Sequence, residues 1–168
     1  NGQWMARRCS SKGLTVKRIT VVGDSLEDIC AAIREALSRK PDLILITGGL
    51  GPTPDDMTAK AMARALGRKL ELNEEALKMI KRAYGLEELG SSREKMAWLP
   101  EGARPLRNPV GMAPGIMVEQ EGTVIIALPG VPREMEAMFK EHVEPLLDQL
   151  SAGLARFEAY FLAYGVRE

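Results

Sequence analysis

Two carboxylates, Asp55 and Asp56, follow three closely spaced glycines, Gly48, Gly49 and Gly51. The glycines in turn end the apolar run Leu43-Ile44-Leu45-Ile46 and its terminal hydroxyl, Thr47. Glycines so placed let the backbone turn with positive φ and let a bound group approach the main chain closely. Pro52 and Pro54 stiffen the exit. Thr53, Asp55 and Asp56 then lead into a helical pattern that puts Met57, Ala61, Met62, Ala65 and Leu66 on one face, with Gly67 as its stop. A strand, a glycine turn and a helix N-terminus together gather N–H groups and the positive end of a helix dipole at one point, which suits phosphate. No Lys follows the glycines, so this is not the G-x-x-x-x-G-K-[ST] loop. Carboxylates beside an anion suit a hard cation such as Mg²⁺ bridging them to phosphate oxygens. On the local pattern alone, Thr53, Asp55 or Asp56 serves equally well as a helix N-cap.

The elements that must position these groups are legible from periodicity. An unalternated β-branched run such as Leu43–Thr47 predicts a strand buried on both faces and flanked by neighbours, not one at an edge. Ahead of it the sequence predicts a helix over the first twelve residues, with Trp4, Met5 and Cys9 inward. A strand over Thr15–Val22 follows, then a helix capped by Ser25 that stripes Leu26, Ile29, Cys30, Ile33 and Leu37. Beyond Gly67 come a short extended piece at Lys69–Leu72 and an N-cap at Asn73. A helix then buries Leu77, Ile80 and Tyr84, and a short helix spans Arg93–Leu99 before Pro100. Glu101–Pro114 has little periodicity and contains the turn Asn108-Pro109-Val110-Gly111. Gly115–Glu119 and Thr123–Leu128 pair as antiparallel strands. Pro132 opens a final helix through Met135, Met138, Phe139, Val143 and Leu146 with a break at Pro145, and Phe157–Val166 reads as a further strand.

This alternation predicts an α/β fold, a three-layer α/β/α sandwich with a mixed, mainly parallel sheet in a single domain over residues 1–168. In such sheets ligands sit at the carboxyl ends of strands. Three predicted strand ends carry chemistry that packing does not need: Gly23-Asp24-Ser25, Thr47–Asp56 and Pro129-Gly130.

Composition narrows the function classes. Lys+Arg and Asp+Glu are 23 each, so no bulk charge draws nucleic acid, and 5% aromatics provide no stacking platform for bases. Cys9 and Cys30 lack metal or redox spacing and are read as buried, reduced and structural. No apolar run has membrane-spanning length and no signal-peptide pattern is present, so a cytoplasmic protein is expected. His142, on a charged helical face beside Lys140 and Glu141, is read as solvated.

The strings TGGLGPTPDDMT, NPVGMAPGIMVE and IIALPGVPREME, in that order, resemble the amino-terminal domain of the competence-damage-inducible (CinA) family. That domain is similar to the molybdopterin-binding fold of the MogA and MoaB proteins. The resemblance covers nearly the whole chain. It implies a substrate-binding set of Thr47, Gly48, Gly49, Gly51 and Thr58, with Pro129, Gly130 and Glu134 from the second junction and Asn108, Gly111 and Gly115 lining the site. It implies Asp24 and Asp56 as catalytic carboxylates that position a divalent metal (Mg, Mn or Co), with Asp55 as a cap or third ligand. The activity implied is metal-dependent hydrolysis of a nucleotide pyrophosphate such as ADP-ribose. The alternative is a domain of molybdenum-cofactor biosynthesis that binds a pterin or nucleotide, with or without adenylyl transfer. A homo-oligomer is implied, with no nucleic-acid or membrane partner. The family normally opens with a strand and a glycine-acidic loop that have no counterpart ahead of Asn1, so a site using that loop is expected to be incomplete in this chain. Met96 stands where relatives often carry Gln, and no carboxy-terminal deamidase half is expected.

Overall fold

A computed structural model describes residues 1–151, and the strand expected at Phe157–Val166 lies outside them. Strands β1 (Leu43–Thr47) and β6 (Thr123–Leu128) run parallel, with Thr47 opposite Leu128. Buried Thr123 fixes the start of this pair by donating its hydroxyl to the Pro41 carbonyl at 2.7 Å, and the Val124 N–H reaches the Asp42 carbonyl at 3.0 Å. β6 turns through Glu121-Gly122 from β5 (Gly115–Gln120), its antiparallel neighbour. β5 in turn pairs antiparallel with β4 (Arg104–Leu106), giving the order β1-β6-β5-β4. A separate antiparallel pair joins β2 (Leu70–Leu72) to β3 (Trp98–Pro100).

Side chains leave β6 alternately to the two faces, as strand geometry requires. Ile125 and Ala127 pack with Ile116 and Val118 of β5 under α2 (Leu26–Ser38), α3 (Thr58–Leu66) and α4 (Glu74–Tyr84). Ile126 and Leu128 meet Met5 and Cys9 of α1 (Gly2–Ser11) and Met135 and Met138 of α6 (Pro132–Met138). Phe139 and Leu147 close that layer, the latter from α7 (Glu144–Leu150). β1 divides likewise, Ile44 and Ile46 to one side and Leu43 and Leu45 to the other. The result is a three-layer α/β/α sandwich around a mixed sheet.

Helix ends follow local chemistry. The Ser25 hydroxyl accepts from Asp28 N–H, Asn73 accepts from Ala76 N–H, and Gly67 and Gly85 close α3 and α4 with left-handed backbones. Two extensions of the last helical layer carry a π turn at Phe139–Val143 and Pro145 in the first turn of α7.

Several expectations are corrected. Thr15–Val22 forms no strand; it runs exposed, with Val21 91% accessible. An extended segment becomes a strand only against a neighbour that takes its backbone hydrogen bonds, and none of the described strands lies against it. Among the described strands β1 pairs on one side only, with β6, where a central strand was expected, and its five residues are all half-buried. Of the three pairings among the described strands of the main sheet, one is parallel and two are antiparallel, where a mainly parallel sheet was expected. The helix expected over Arg93–Leu99 is instead α5 (Ser91–Glu94), a 3₁₀ turn at Lys95–Ala97, and then β3. β4 arises within the stretch expected to be irregular. His142 is not solvated: its side chain is 17% exposed and its Nε2 lies 2.7 Å from the Arg107 carbonyl oxygen. No helix among the described residues is long and apolar enough to cross a membrane.

Candidate functional site

Because β1 and β6 are parallel and in register, they end at one level and deliver two turns side by side. The Gly48 N–H donates to the Leu128 carbonyl at 2.9 Å, and a Cβ on Gly130 would stand 3.3 Å from the Gly48 Cα. Thr47 joins the turns from below, donating its hydroxyl to the Pro129 carbonyl at 2.9 Å. The Asn1 amide spans both, reaching the Thr47 hydroxyl at 2.9 Å and the Gly130 carbonyl at 2.8 Å.

The glycine turn is held to α3 by Thr58. Its buried hydroxyl donates to the Gly48 carbonyl at 2.8 Å, and its N–H reaches the Gly49 carbonyl at 3.0 Å. Gly49 has φ +67°, and a Cβ there would collide with the Thr58 hydroxyl, so only glycine fits. The Gly49 and Leu50 N–H groups have no hydrogen-bond partner among the described residues.

Asp56 folds back into the turn it follows. Its Oδ2 accepts the Thr53 N–H at 2.9 Å and the Thr53 hydroxyl at 2.6 Å, and lies 2.6 Å from where a Gly51 Cβ would be. Burial raises its pKa, but the hydrogen bonds from Thr53 and the Gly51 backbone outweigh that, and the Lys95 ammonium adds to them; the net direction is down. Asp56 is therefore not the N-cap of α3. That position is Met57, which makes no side-chain cap.

A third segment completes the site. The Asn108 Oδ1 accepts the N–H groups of Val110 at 3.1 Å and Gly111 at 2.8 Å. Its Nδ2 donates to the Ala113 carbonyl at 3.0 Å and the Glu134 carboxylate at 2.7 Å. All the hydrogen-bonding capacity of this side chain goes into shaping the loop and aiming Glu134. A Cβ on Gly111 would overlap the Glu134 carboxyl group.

Between these segments lies a cavity of about 510 Å³. Gly49, Gly51 and Asp56 form one wall, Gly111 and Met112 a second, and Gly130 and Glu134 a third, while Tyr84 and Met96 close the side towards α4 and the 3₁₀ turn. A larger cleft, about 640 Å³, lies at the opposite end of the β1–β6 pair among Arg34, Lys40, Arg64 and Glu121. It collects the C-terminal ends of α2 and α3, which disfavour anions, and none of the expected site residues lines it. The expected site residues gather at the smaller cavity.

The expected residues divide accordingly. Gly49, Gly51, Asp56, Gly111, Pro129, Gly130 and Glu134 line the cavity. Thr47, Gly48, Thr58 and Asn108 stand behind them and hold the turns. Gly115 belongs to packing: a Cβ there would meet the Met138 methyl at 2.7 Å and the Ala127 carbonyl at 2.9 Å. Asp24 is exposed in the turn before α2 and does not line the cavity, and Asp55 is exposed as well. Among the described residues no group of three or more His, Cys, Asp or Glu is placed to hold a metal ion. Sequence reasoning missed Tyr84, taken there as core, and Lys95, whose Nζ donates to the Thr53 carbonyl. No spacing rule links either to a glycine turn so far away in the chain.

A family model described as a probable molybdopterin binding domain matches residues 1–149. A protein of Pyrobaculum aerophilum is 47% identical over 170 residues, covering all of this chain and 64% of its own length. A Pyrococcus horikoshii protein is 49% identical over 158 residues, covering 89% of this chain and 62% of its own. The chain thus spans less than two thirds of the length of these curated relatives. A crystal structure of the protein CinA, with unknown function, from Thermoplasma acidophilum superposes with a TM-score of 0.81 at 43% identity, covering 86% of this chain and 85% of that one. The molybdopterin biosynthesis enzyme MoaB from Thermus thermophilus superposes at 0.56 and 21% identity, covering 91% and 83%, a likeness of fold alone.

Proposed function

The chain belongs to the family of probable molybdopterin binding domains, and from that premise we propose that its cavity binds a phosphorylated pterin or a nucleotide. The observation that carries this reading is the pair of unpartnered N–H groups, Gly49 and Leu50, at a strand-to-helix turn that opens into a cavity of about 510 Å³. Phosphate oxygens accept from such amides, and the N-terminus of α3 adds its dipole. Tyr84, Met96 and Met112 offer apolar surface to a planar ring. The Glu134 oxygen not used by Asn108 is free to accept from a ring N–H or amino group. Titration of the purified protein with a phosphorylated pterin, and separately with ADP, tests this. Saturable binding of either is expected, weakened by Glu134→Ala. Absence of both at millimolar ligand overturns the reading.

A second reading, hydrolysis of a nucleotide pyrophosphate, is favoured by one observation: Asp56 and Glu134 line the same cavity. A divalent ion on Asp24, Asp55 and Asp56 does not fit these residues, since two of the three are exposed and the first lies away from the cavity. Asp56 Oδ2 is also engaged by Thr53. In this reading Glu134 takes the proton of a water whose oxygen bonds to one phosphorus, the P–O–P bridge breaks, and the other phosphate ester leaves while the turn amides hold the phosphate oxygens. AMP release from ADP-ribose, assayed with and without added Mg²⁺, Mn²⁺ or Co²⁺, tests it. Turnover abolished by Glu134→Gln is expected; no turnover under any condition leaves a binding domain.

A further inference from the structure

The cavity has a charge problem. Its lining contains two carboxylates, Asp56 and Glu134, and no Lys or Arg. Backbone amides carry only partial charge, so a phosphate placed beside both carboxylates needs a full positive charge close by.

We propose that Lys95 is the cation that holds the ligand's phosphate in this cavity, an inference that rests on the ligand reading above. Lys95 opens the 3₁₀ turn Lys95–Ala97, one residue before Met96, which lines the cavity wall. Its Nζ donates to the carbonyl of Thr53 at the exit of the glycine turn, the same residue whose N–H and hydroxyl hold Asp56. The ammonium therefore stands at the exit of the glycine turn, on Thr53, which follows the lining residue Pro52. Behind the Thr53 and Gly51 hydrogen bonds, its charge also helps to lower the pKa of Asp56, which lines the cavity.

Three further features separate this role from simple bracing. An ammonium carries three N–H donors and Thr53 takes one, leaving two for a ligand. Thr53's carbonyl also accepts the Asp56 N–H at 3.1 Å, so the turn keeps a closing hydrogen bond without Lys95. And among the described residues Lys95 forms no ion pair, so its charge is uncommitted. Arg93, the other cation on this segment, is occupied differently: its guanidinium lies 4.5 Å from the centre of the Tyr84 ring. A four-carbon stem gives Lys95 the reach to move its head from Thr53 towards a phosphate while retaining charge.

The test compares wild type, Lys95→Met and Lys95→Arg for binding of inorganic pyrophosphate, ADP and adenosine, with melting curves alongside. Wild type is expected to bind pyrophosphate and ADP, with affinity falling as salt rises. Lys95→Met should weaken both at least tenfold, about 1.4 kcal/mol, with a shallower salt dependence, while Lys95→Arg retains most of the affinity. Adenosine binding should not change. Unchanged pyrophosphate and ADP affinity in Lys95→Met overturns the proposal, as does an equal loss for adenosine, which marks a bracing role. If Lys95→Met does not fold, Lys95→Gln decides by the same ratios. Wild type that binds neither pyrophosphate nor ADP overturns the ligand reading itself, and this proposal with it.

Discussion

The Asp56 carboxylate accepts both hydrogen-bond donors of Thr53, the N–H at 2.9 Å and the hydroxyl at 2.6 Å. Asp56 thus shapes the glycine turn whatever it does to a ligand. Asp56→Ala leaves the Thr53 donors to water and is expected to lower stability by about 1–2 kcal/mol. Asp56→Asn keeps an acceptor oxygen and should cost less than half as much. Urea denaturation of the two variants checks the order, and an Ala variant as stable as wild type would contradict it.

The same contacts set a pH dependence. The folded pKa of Asp56 lies below its ordinary value, 3.8. A carboxylate depressed by folding adds stability above its unfolded pKa and loses it as pH falls through the folded one. Stability should therefore decline below about pH 4, and Asp56→Asn should flatten part of that decline. Melting curves between neutral and strongly acidic pH read this directly. An identical acid limb in the variant would show that the carboxylate is not held in solution.

Gly111→Ala is expected to separate binding from folding. The new methyl would overlap the Glu134 carboxyl and stand 2.7 Å from Asn108 Nδ2, so the Asn108–Glu134 contact must open. The loop is half-exposed and can shift, which keeps the stability loss to about 1–2 kcal/mol. Ligand affinity should fall at least tenfold, because Glu134 loses its aim. Calorimetric titration beside a melting curve measures both.

Amide exchange should rank the strands. β6 is flanked by β1 and β5, so its N–H groups are expected to be among the slowest in the domain. β1 pairs on one side only among the described strands, and its protected amides should alternate with faster ones. Uniformly slow exchange through Leu43–Ile46 would mean that its outer edge is covered.

The layers were readable because they rest on periodicity. Ile29, Cys30, Ile33 and Leu37 reveal the stripe of α2, and Gly67 and Gly85 reveal two helix ends through backbone chemistry that few other residues supply. The one-sided pairing of β1 among the described strands was not readable. Leu43–Ile46 reads the same wherever layers cover both faces, and only pairing distinguishes edge from centre. Val16, Ile19 and Val21 carry a strand-like pattern, yet without a paired neighbour among the described strands they lie in an exposed segment that forms no strand. In the site, the glycine turn and the Pro129-Gly130 junction were legible as local motifs. Lys95 and Tyr84 were not, because their relation to the turn depends on how α4 and the 3₁₀ turn pack and on no spacing in the chain. Asp56 was read as a chemical group, and its first partner proved to be the loop itself.

The walls of the cavity come from residues as far apart in sequence as Gly49 and Glu134, with Tyr84 and Met112 between them. The lining is brought together only by folding, so a ligand of this cavity would recognise the assembled domain and find no counterpart in the unfolded chain. Occupancy is then thermodynamically linked to global folding and not to local ordering of one loop. At a hundred times its dissociation constant, a ligand would add about 2.7 kcal/mol to unfolding of the entire domain. The amount of ligand bound at saturation would then report the fraction of molecules that are fully folded.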